Sequence, residues 1–361
     1  MNSEQKMAAV IQQEHTTNRD AWQTWDHPES NWNNAAMQTP QADPFCCRTE
    51  WQLSYNEGME PGRKLIVREQ PGSLVALAEL NSANPGRVFG PLESHWFFGC
   101  PLLGPDAVEL LDDLLNEIHA ESGATVNTPP PLFVISGLTP RGALLKQLLT
   151  ELGTRYKFRQ HRSETLCSAS LEDGYDGFLS RRSGKHRRSL GKQTRRAAKE
   201  GVTFERHAPT DPAAAANIYA RMLAVEESSW KGIGECGMAV EPSRHYYDCM
   251  LKRLSIYGSA RVMFARHGDK DIGYIFGGVA ETFYRGQQFS YAEDWRSYSI
   301  GNLLQAEQIK WLCEEHIERY DMGPLMDYKH HWTEIRQTIS TVVLQKKRPQ
   351  RKRHRQYDLP L

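Results

Sequence analysis

The sequence lacks any excess of one charge, because Lys+Arg and Asp+Glu both total 44 in 361 residues. Balanced charge gives the chain as a whole no long-range field that would select a nucleic acid or a membrane surface. A run of about 18 apolar residues is also missing, so no membrane span is expected. The seven cysteines form no Cys-x-x-Cys pair. This pattern favours reduced thiols in a cytoplasmic protein over a disulfide framework.

Several targeting and catalytic motifs are absent as well. Residues 1–15 lack a basic segment followed by an apolar run, so no signal peptide is expected. The sequence contains no P-loop and no Gly-x-Ser-x-Gly elbow. His330 and His331 are adjacent and would point to opposite faces of a strand. The other histidines considered show no metal-ligand spacing, so no metal is expected: His186, His207 and His245.

The chain is long enough for two domains. Its polar start predicts a flexible leader over residues 1–43, and its end predicts a basic, disordered tail over 346–361. Between them, residues 44–170 mix apolar strand runs with helical periodicity, and residues 171–345 do the same. Mixed strands and helices predict an α/β or α+β fold for both domains.

Within the first domain, apolar runs at 64–69 and 73–80 flank a Pro-Gly turn and predict a β-hairpin. Helical spacing follows over 105–120 and 142–152, and strands are predicted at 131–136 and 156–170. In the second domain, the sequence predicts helices over 211–228 and 242–257, a three-stranded meander over 260–291, and a helix after Gly301.

The most informative segment runs from Phe289 to Trp332. It predicts a strand, a polar turn that ends in Ser299-Ile-Gly301, a helix, and a short strand that ends near Asp321. A helix that starts just after a strand presents free N–H groups and a positive dipole end. This segment therefore predicts a site for a phosphate-bearing cofactor.

A family resemblance rests on an ordered set of motifs over about 170 residues. The set comprises Ser229-Trp-Lys-Gly232, Gly273-Tyr-Ile-Phe-Gly277, Tyr291…Asp294…Tyr298-Ser-Ile-Gly301-Asn-Leu-Leu304, Tyr320-Asp-Met-Gly323 and Tyr328-Lys329…Trp332. In this order the motifs resemble the GNAT acyltransferase superfamily, specifically its CelD/BcsL-like, FemAB-related branch. Here Ile300 stands where that branch has proline, and the Gln/Arg-x-x-Gly-x-Gly/Ala signature of many GNAT enzymes is not met.

The resemblance implies tandem GNAT-like acyl-CoA N-acyltransferase domains with mixed central sheets flanked by helices, the first of them degenerate. Acetyl-CoA or a longer acyl-CoA would be the co-substrate. It would be bound by Ser299, Ile300, Gly301, Asn302 and Leu303. Catalytic candidates are Tyr291, Asp294, Tyr298 and Asp321, with Glu293 a second candidate base. Substrate-binding candidates are Trp230, Lys231, Tyr328 and Lys329, although Trp230 could instead anchor a core.

The implied function is acyl-CoA-dependent N- or O-acyltransfer to a small molecule or a cell-envelope or polysaccharide precursor. Two alternatives stay open: a FemAB-like transferase that uses aminoacyl-tRNA, and a non-catalytic polysaccharide-assembly module. The tRNA alternative draws on two basic segments, Arg181–Lys199, which has nine cations and no acid, and Lys346–Arg355. Such segments bind phosphate backbones without sequence preference, but a solvated charged face is the plainer interpretation of the first.

Overall fold

The computed structural model describes residues 25–27, 29–40, 43–82, 86–122 and 129–347. Their strands are β1 Leu65–Gln70, β2 Ser73–Glu79, β3 Val88–Gly90, β4 Leu102–Leu103, β5 Leu132–Leu138, β6 Tyr156–Ser170, β7 Val202–His207, β8 Ala260–His267, β9 Lys270–Ala280, β10 Phe283–Tyr291, β11 Arg319–Pro324 and β12 Ile335–Lys346. Their helices are α1 Asn31–Gln38, α2 Thr49–Met59, α3 Ala107–Glu121, α4 Ala143–Leu152, α5 Gly174–Ser180, α6 Gly184–Lys199, α7 Pro212–Glu227, α8 Trp230–Ile233, α9 Ser243–Ile256 and α10 Ile300–Glu314.

The strands join into one mixed sheet in the order β1-β2-β3-β5-β12-β6-β11-β10-β9-β8-β7, with β4 paired to β2. The α/β class and the mixed sheet flanked by helices are therefore confirmed. No described helix is long and apolar enough to cross a membrane.

The two halves repeat one arrangement. In the first half, an antiparallel run β1-β2-β3 leads through α3 to β5, which is parallel to β3. In the second half, β8-β9-β10 leads through α10 to β11, which is parallel to β10. α10 therefore occupies the position in the second half that α3 occupies in the first, although β4 lies between β3 and α3 in the chain.

The last strands of the two halves are exchanged. β6 ends the first half but pairs with β11 of the second, whereas β12 ends the second half and pairs with β5 of the first. β6 and β12 also pair with each other along twelve registered positions, from Ile335↔Ser168 to Lys346↔Tyr156. The predicted boundary near residue 170 thus falls after a strand whose partners belong to the second half. Whether either half is a domain by itself remains a prediction.

Helices cover the second half of the sheet on both faces. Along β9, Tyr274 and Phe276 pack into a core with α7 and α9, while Ile275 between them packs into another with α10. Alternation of this kind is expected of a strand with both faces buried. The first half has its own core around β2 and α3, and β12 contributes Leu344 to it.

The structure describes the end of the predicted leader and the first two residues of the predicted tail. The tail prediction is wrong at its first residue, because Lys346 is the last residue of β12. The prediction of a flexible leader is wrong at its end, where α1 forms. Trp32 is buried there, and its indole N–H donates to Cys47 O at 2.9 Å. The rest of the leader before Trp25 and the tail from residue 348 lie outside the described residues.

A core substitution in β12 should reveal the strand exchange. Leu344 is fully buried in the first-half core, so Leu344→Ala should cost about 2–5 kcal/mol of stability. Because β12 belongs to both halves, we expect one cooperative urea transition with a lower midpoint, whether followed by circular dichroism or by tryptophan fluorescence. A second transition that keeps the wild-type midpoint would show that the halves unfold independently.

Candidate functional site

The site begins where two parallel strands separate. β10 and β11 pair only over Phe283–Arg285 and Arg319–Asp321. Beyond that point β10 stays registered with β9 as far as Tyr291, and β11 stays registered with β6 through Pro324. The two strands therefore diverge, and the later backbone of β10 faces a gap on the side where β11 had been.

A cavity of about 80 Å³ lies in this gap, which we call the cleft. Its lining comprises Ile275, Gly286, Gln287, Gln288, Phe289, Gln305, Tyr320, Met322, Tyr328 and Lys329. Two of the predicted substrate-binding residues, Tyr328 and Lys329, are thus brought to it. The cleft combines three aromatic rings, three amides and one ammonium group.

Two amide donors in this region have no partner. Gln305 is only 7% exposed, and its Oε1 lies 3.4 Å from the Tyr320 hydroxyl, which donates to it. Within the described residues, the Nε2 atoms of Gln305 and Gln287 lack hydrogen-bond partners. Leaving a buried donor unpaired costs about 1–3 kcal/mol. A lining that keeps such donors is typical of a site that a ligand or water completes.

Lys329 fixes one wall of the cleft. Its Nζ donates to Met322 O at 2.6 Å and to Pro324 O at 2.8 Å, and so holds the diverging end of β11. Burial lowers the pKa of Lys329 to about 8. Tyr328, next to it, is 44% exposed and packs its ring 6.2 Å from the Phe289 ring.

An ion-pair cluster lies at the point where the strands separate. Arg285 and Asp321 are the last paired residues of β10 and β11, and their side chains form an ion pair at 3.3 Å. Arg285 also pairs with Asp43, and Asp321 Oδ1 accepts from Gly323 N at 2.7 Å. Burial raises the pKa of Asp321, although the Arg285 guanidinium opposes this rise. All three charged side chains are buried.

The start of α10 carries the predicted phosphate site. Ser299 adopts a left-handed conformation with φ of 60°, and its carbonyl accepts from the N–H groups of Asn302 and Leu303. Within the described residues, the N–H groups of Ile300 and Gly301 have no hydrogen-bond partner. Only these two of the five predicted cofactor residues therefore present free backbone donors, as the first turn of a helix must.

Gly301 connects this helix start to the cleft. A Cβ at Gly301 would lie 2.9 Å from the Phe289 ring and 3.3 Å from the Tyr291 ring. Phe289 lines the cleft, so the cleft and the free N–H groups share one side chain. The glycine is needed for this close helix-to-strand contact, whether or not a phosphate approaches it.

The basic helix α6 borders the same turn. Arg196 donates from Nη1 to Ser297 O at 3.1 Å, and its guanidinium lies 4.2 Å from the centre of the Tyr298 ring. At about 100° per residue, six exposed cations of α6 fall within an arc of about 100°. They are Lys185, Arg188, Lys192, Arg195, Arg196 and Lys199. We call them the basic face; none forms an ion pair with a described acidic residue.

The motif at residues 229–232 approaches the cleft from the opposite side. Ser229 caps the short helix α8 by accepting from Lys231 N at 3.1 Å. Lys231 Nζ then donates to Gln288 Oε1 at 3.0 Å and to Phe289 O at 2.9 Å. Burial lowers the pKa of Lys231. The alternative role of Trp230 as a core anchor is wrong, because this side chain is 55% exposed.

The catalytic candidates are not all gathered in one place. Tyr291 and Tyr298 lie beside the start of α10. Asp294 is exposed in the short turn of 3₁₀ helix before it, and Glu293 pairs with Arg296 there. Asp321 belongs to the buried ion-pair cluster instead. Sequence reasoning did not find Gln287 and Gln305, since neither has a motif and only the fold brings them to the cleft.

Comparison with known proteins agrees with this geometry. Residues 184–330 match a family model described as the acetyltransferase (GNAT) domain. This segment of the chain is therefore similar to the GNAT acetyltransferase domain. The match begins at α6 and ends after Lys329, so it spans the cleft and the basic face but less than half of the chain. No curated protein sequence matches the chain.

Three solved structures resemble the chain over most of its length. FemX has 12% identity and a TM-score of 0.58, with 86% of this chain and 95% of FemX covered. A conserved protein of Bacteroides thetaiotaomicron has 10% identity and a TM-score of 0.55, with 94% and 100% covered. The C-terminal domain of a putative lysylphosphatidylglycerol synthetase from Agrobacterium fabrum has 13% identity and a TM-score of 0.53, with 88% and 91% covered. At these identities the likeness shows a shared fold and nothing further.

Removing the central cation should expose the importance of the ion-pair cluster. Arg285→Met leaves Asp43 and Asp321 buried without their shared partner, and we expect a loss of about 3–5 kcal/mol in urea unfolding. The matched control is Arg206→Met, which removes an exposed ion pair with Glu314 and should cost less than about 1 kcal/mol. Equal effects of the two substitutions would contradict a structural role for the cluster.

Proposed function

We propose that this protein is an acyl-CoA-dependent N- or O-acyltransferase that uses acetyl-CoA or a longer acyl-CoA. One observation carries the proposal: a cleft between diverging parallel strands leads, through Phe289, to a helix start with two free N–H groups. Free N–H groups and the dipole of α10 favour the pyrophosphate of CoA. Arg196, which lies against the same turn, adds a cation.

The extended arm of CoA suits the cleft. Its amide groups need donors and acceptors, and the cleft offers the unpaired Nε2 atoms of Gln305 and Gln287. The backbone of β10 after Arg285 is also unpaired on the side of β11. The thioester would then lie among Phe289, Tyr328 and Lys329, with the acyl acceptor entering beneath the exposed Trp230.

The chemistry follows from these positions. An acceptor amine or hydroxyl attacks the thioester carbonyl, its proton passes to a base, the C–S bond breaks, and the thiolate takes up a proton. We assign Tyr291 or Tyr298 as the acid for the thiolate, because both lie beside the helix start. Asp294 is our candidate base. Asp321 is a positioning residue, since Arg285 and Gly323 N engage its carboxylate.

The acceptor and the compartment extend the same proposal. We infer a small molecule or a cell-envelope or polysaccharide precursor as the acceptor. All seven cysteines are free thiols, which supports a reducing compartment such as the cytoplasm, where acyl-CoA is available. In the first half, Asp106 precedes α3 and hydrogen-bonds with Ser73. An acid at that helix start disfavours a phosphate, in keeping with one cofactor site.

Two substitutions at opposite ends of the site should weaken CoA binding in isothermal titration calorimetry. Arg196→Gln removes a cation beside the pyrophosphate, and Gln305→Leu removes a donor in the cleft. Each should raise the dissociation constant about tenfold, the effect of losing about 1.4 kcal/mol. Leu also removes the acceptor of the buried Tyr320 hydroxyl, so the thermal midpoint of Gln305→Leu should be measured to confirm that the variant is folded.

The matched control is Arg187→Gln, which removes an exposed cation from α6 outside the basic face and should leave the affinity unchanged. Absence of binding by the folded wild-type protein at millimolar CoA would reject the acyl-CoA proposal.

A second candidate function is aminoacyl transfer from a charged tRNA. The basic face of α6 favours it, because six cations without acidic partners on one helix exceed what one pyrophosphate requires. A basic face of this kind can follow a phosphate backbone, with affinity that falls steeply as salt rises. The second predicted basic segment, Lys346–Arg355, lies almost wholly outside the described residues.

Filter binding of aminoacyl-tRNA across a salt series separates this candidate from the first. The triple variant Arg188→Gln, Lys192→Gln, Arg195→Gln should reduce the slope of log affinity against log salt by about one for each cation removed. Its CoA affinity should stay close to wild type, because Arg196 is retained. Absent or salt-insensitive tRNA binding would remove this candidate.

A further inference from the structure

A cluster of possible metal ligands joins the two halves away from the cleft. His245 and Cys249 lie one turn apart on α9, a spacing that places both side chains on one helix face. Glu57 extends toward them from α2, which packs against α9. One ligand atom from each of these three residues lies within 4.8 Å of the other two.

The distances suit a tetrahedral ion. Cys249 Sγ lies 3.7 Å from Nε2 and 4.0 Å from Nδ1 of His245. Bonds of about 2.3 Å to sulfur and about 2.0 Å to nitrogen at a tetrahedral angle separate the two ligand atoms by about 3.6 Å. The sulfur lies almost as close to Nδ1 as to Nε2, so the His245 ring must turn to direct one nitrogen at an ion bound to Cys249.

Arg253 borders the cluster. Its guanidinium contacts two carboxylates, Asp26 at 3.0 Å and Glu57 at 2.8 Å. Arg253 also fixes the Glu57 side chain, as outer partners of metal ligands commonly do.

We propose that Glu57, His245 and Cys249 bind one Zn²⁺ ion, with water as the fourth ligand, and that this ion ties α2 to α9. A mixed nitrogen, sulfur and oxygen set is typical of zinc, whereas magnesium and calcium prefer oxygen alone. The site is independent of acyl transfer and departs from the metal-free protein that the sequence predicts. The His-x-x-x-Cys spacing was overlooked because its third ligand comes from a distant helix.

Binding displaces a proton. The Cys249 thiol loses its hydrogen to solvent as the sulfur–zinc bond forms.

Metal analysis of the untagged, full-length chain tests the proposal. After incubation with zinc and gel filtration, the wild type should retain about one ion per chain. Cys249→Ser and His245→Gln should each reduce retention at least about tenfold. The matched control is Cys236→Ser, which removes an exposed thiol outside the cluster and should retain zinc as wild type does. Unchanged retention in the Cys249→Ser, His245→Gln double variant, or no retention by wild type, would overturn the proposal.

A measurement on the wild type alone tests the site without depending on whether the variants fold. Cobalt-loaded protein should show a thiolate-to-cobalt charge-transfer band, and zinc in excess should abolish it and raise the thermal midpoint. A cobalt spectrum without a thiolate band would exclude Cys249 as a ligand and overturn the proposed site.

Discussion

The exchange of β6 and β12 joins the two halves into one sheet and places a strand of the first half next to the cleft. The last strand of each half pairs with strands of the other half, so β6 of the first half lies beside β11 of the second. β10, in contrast, is held by β9 of its own half. The two strands that bound the cleft are thus anchored in different parts of the sheet. β10 and β11 separate after Arg285 and Asp321, and from there each strand stays paired only with its other neighbour.

The ion-pair cluster lies at the point where β10 and β11 separate. Asp43 comes from the first half and meets Arg285 on β10 and Asp321 on β11 where their pairing stops. A buried cation between two carboxylates is sensitive to small displacements, because an unpaired charge there is costly. This arrangement supports our proposal that Asp321 is a positioning residue at the point where the strands separate. It also explains why Asp321 is a weaker catalytic candidate than the tyrosines beside α10.

Local patterns predicted most of the elements. The strand 156–170 was predicted with its observed bounds, and the hairpin at 64–80 and the helix after Gly301 were confirmed. α2 was missed because it is buried all round, with polar residues such as Glu50 and Gln52 inside, and therefore has no apolar stripe. The end of the leader was misjudged because polar residues of α1 are also buried, among them Asn33.

The candidate site was predictable only where it is local. The strand, turn and helix around Gly301 can be read from neighbouring residues, but the pairs that shape the cleft are far apart in the chain. Asp43 and Arg285 are 242 residues apart, and Gln305 acquires its role only because α10 packs beside the gap. The structure also changes the interpretation of the helix start. The absence of a Cβ at Gly301 is needed because the Phe289 ring packs against it. The prediction of a phosphate site now depends on the free N–H groups of Ile300 and Gly301.

A crystal structure of the protein with bound CoA would locate the cofactor relative to the cleft and the start of α10. We predict pyrophosphate oxygens within about 3 Å of the Ile300 and Gly301 nitrogens, and the pantetheine arm between β10 and β11 with its amides near Gln305 and Gln287. CoA bound elsewhere, with the cleft and the start of α10 unchanged, would contradict this prediction.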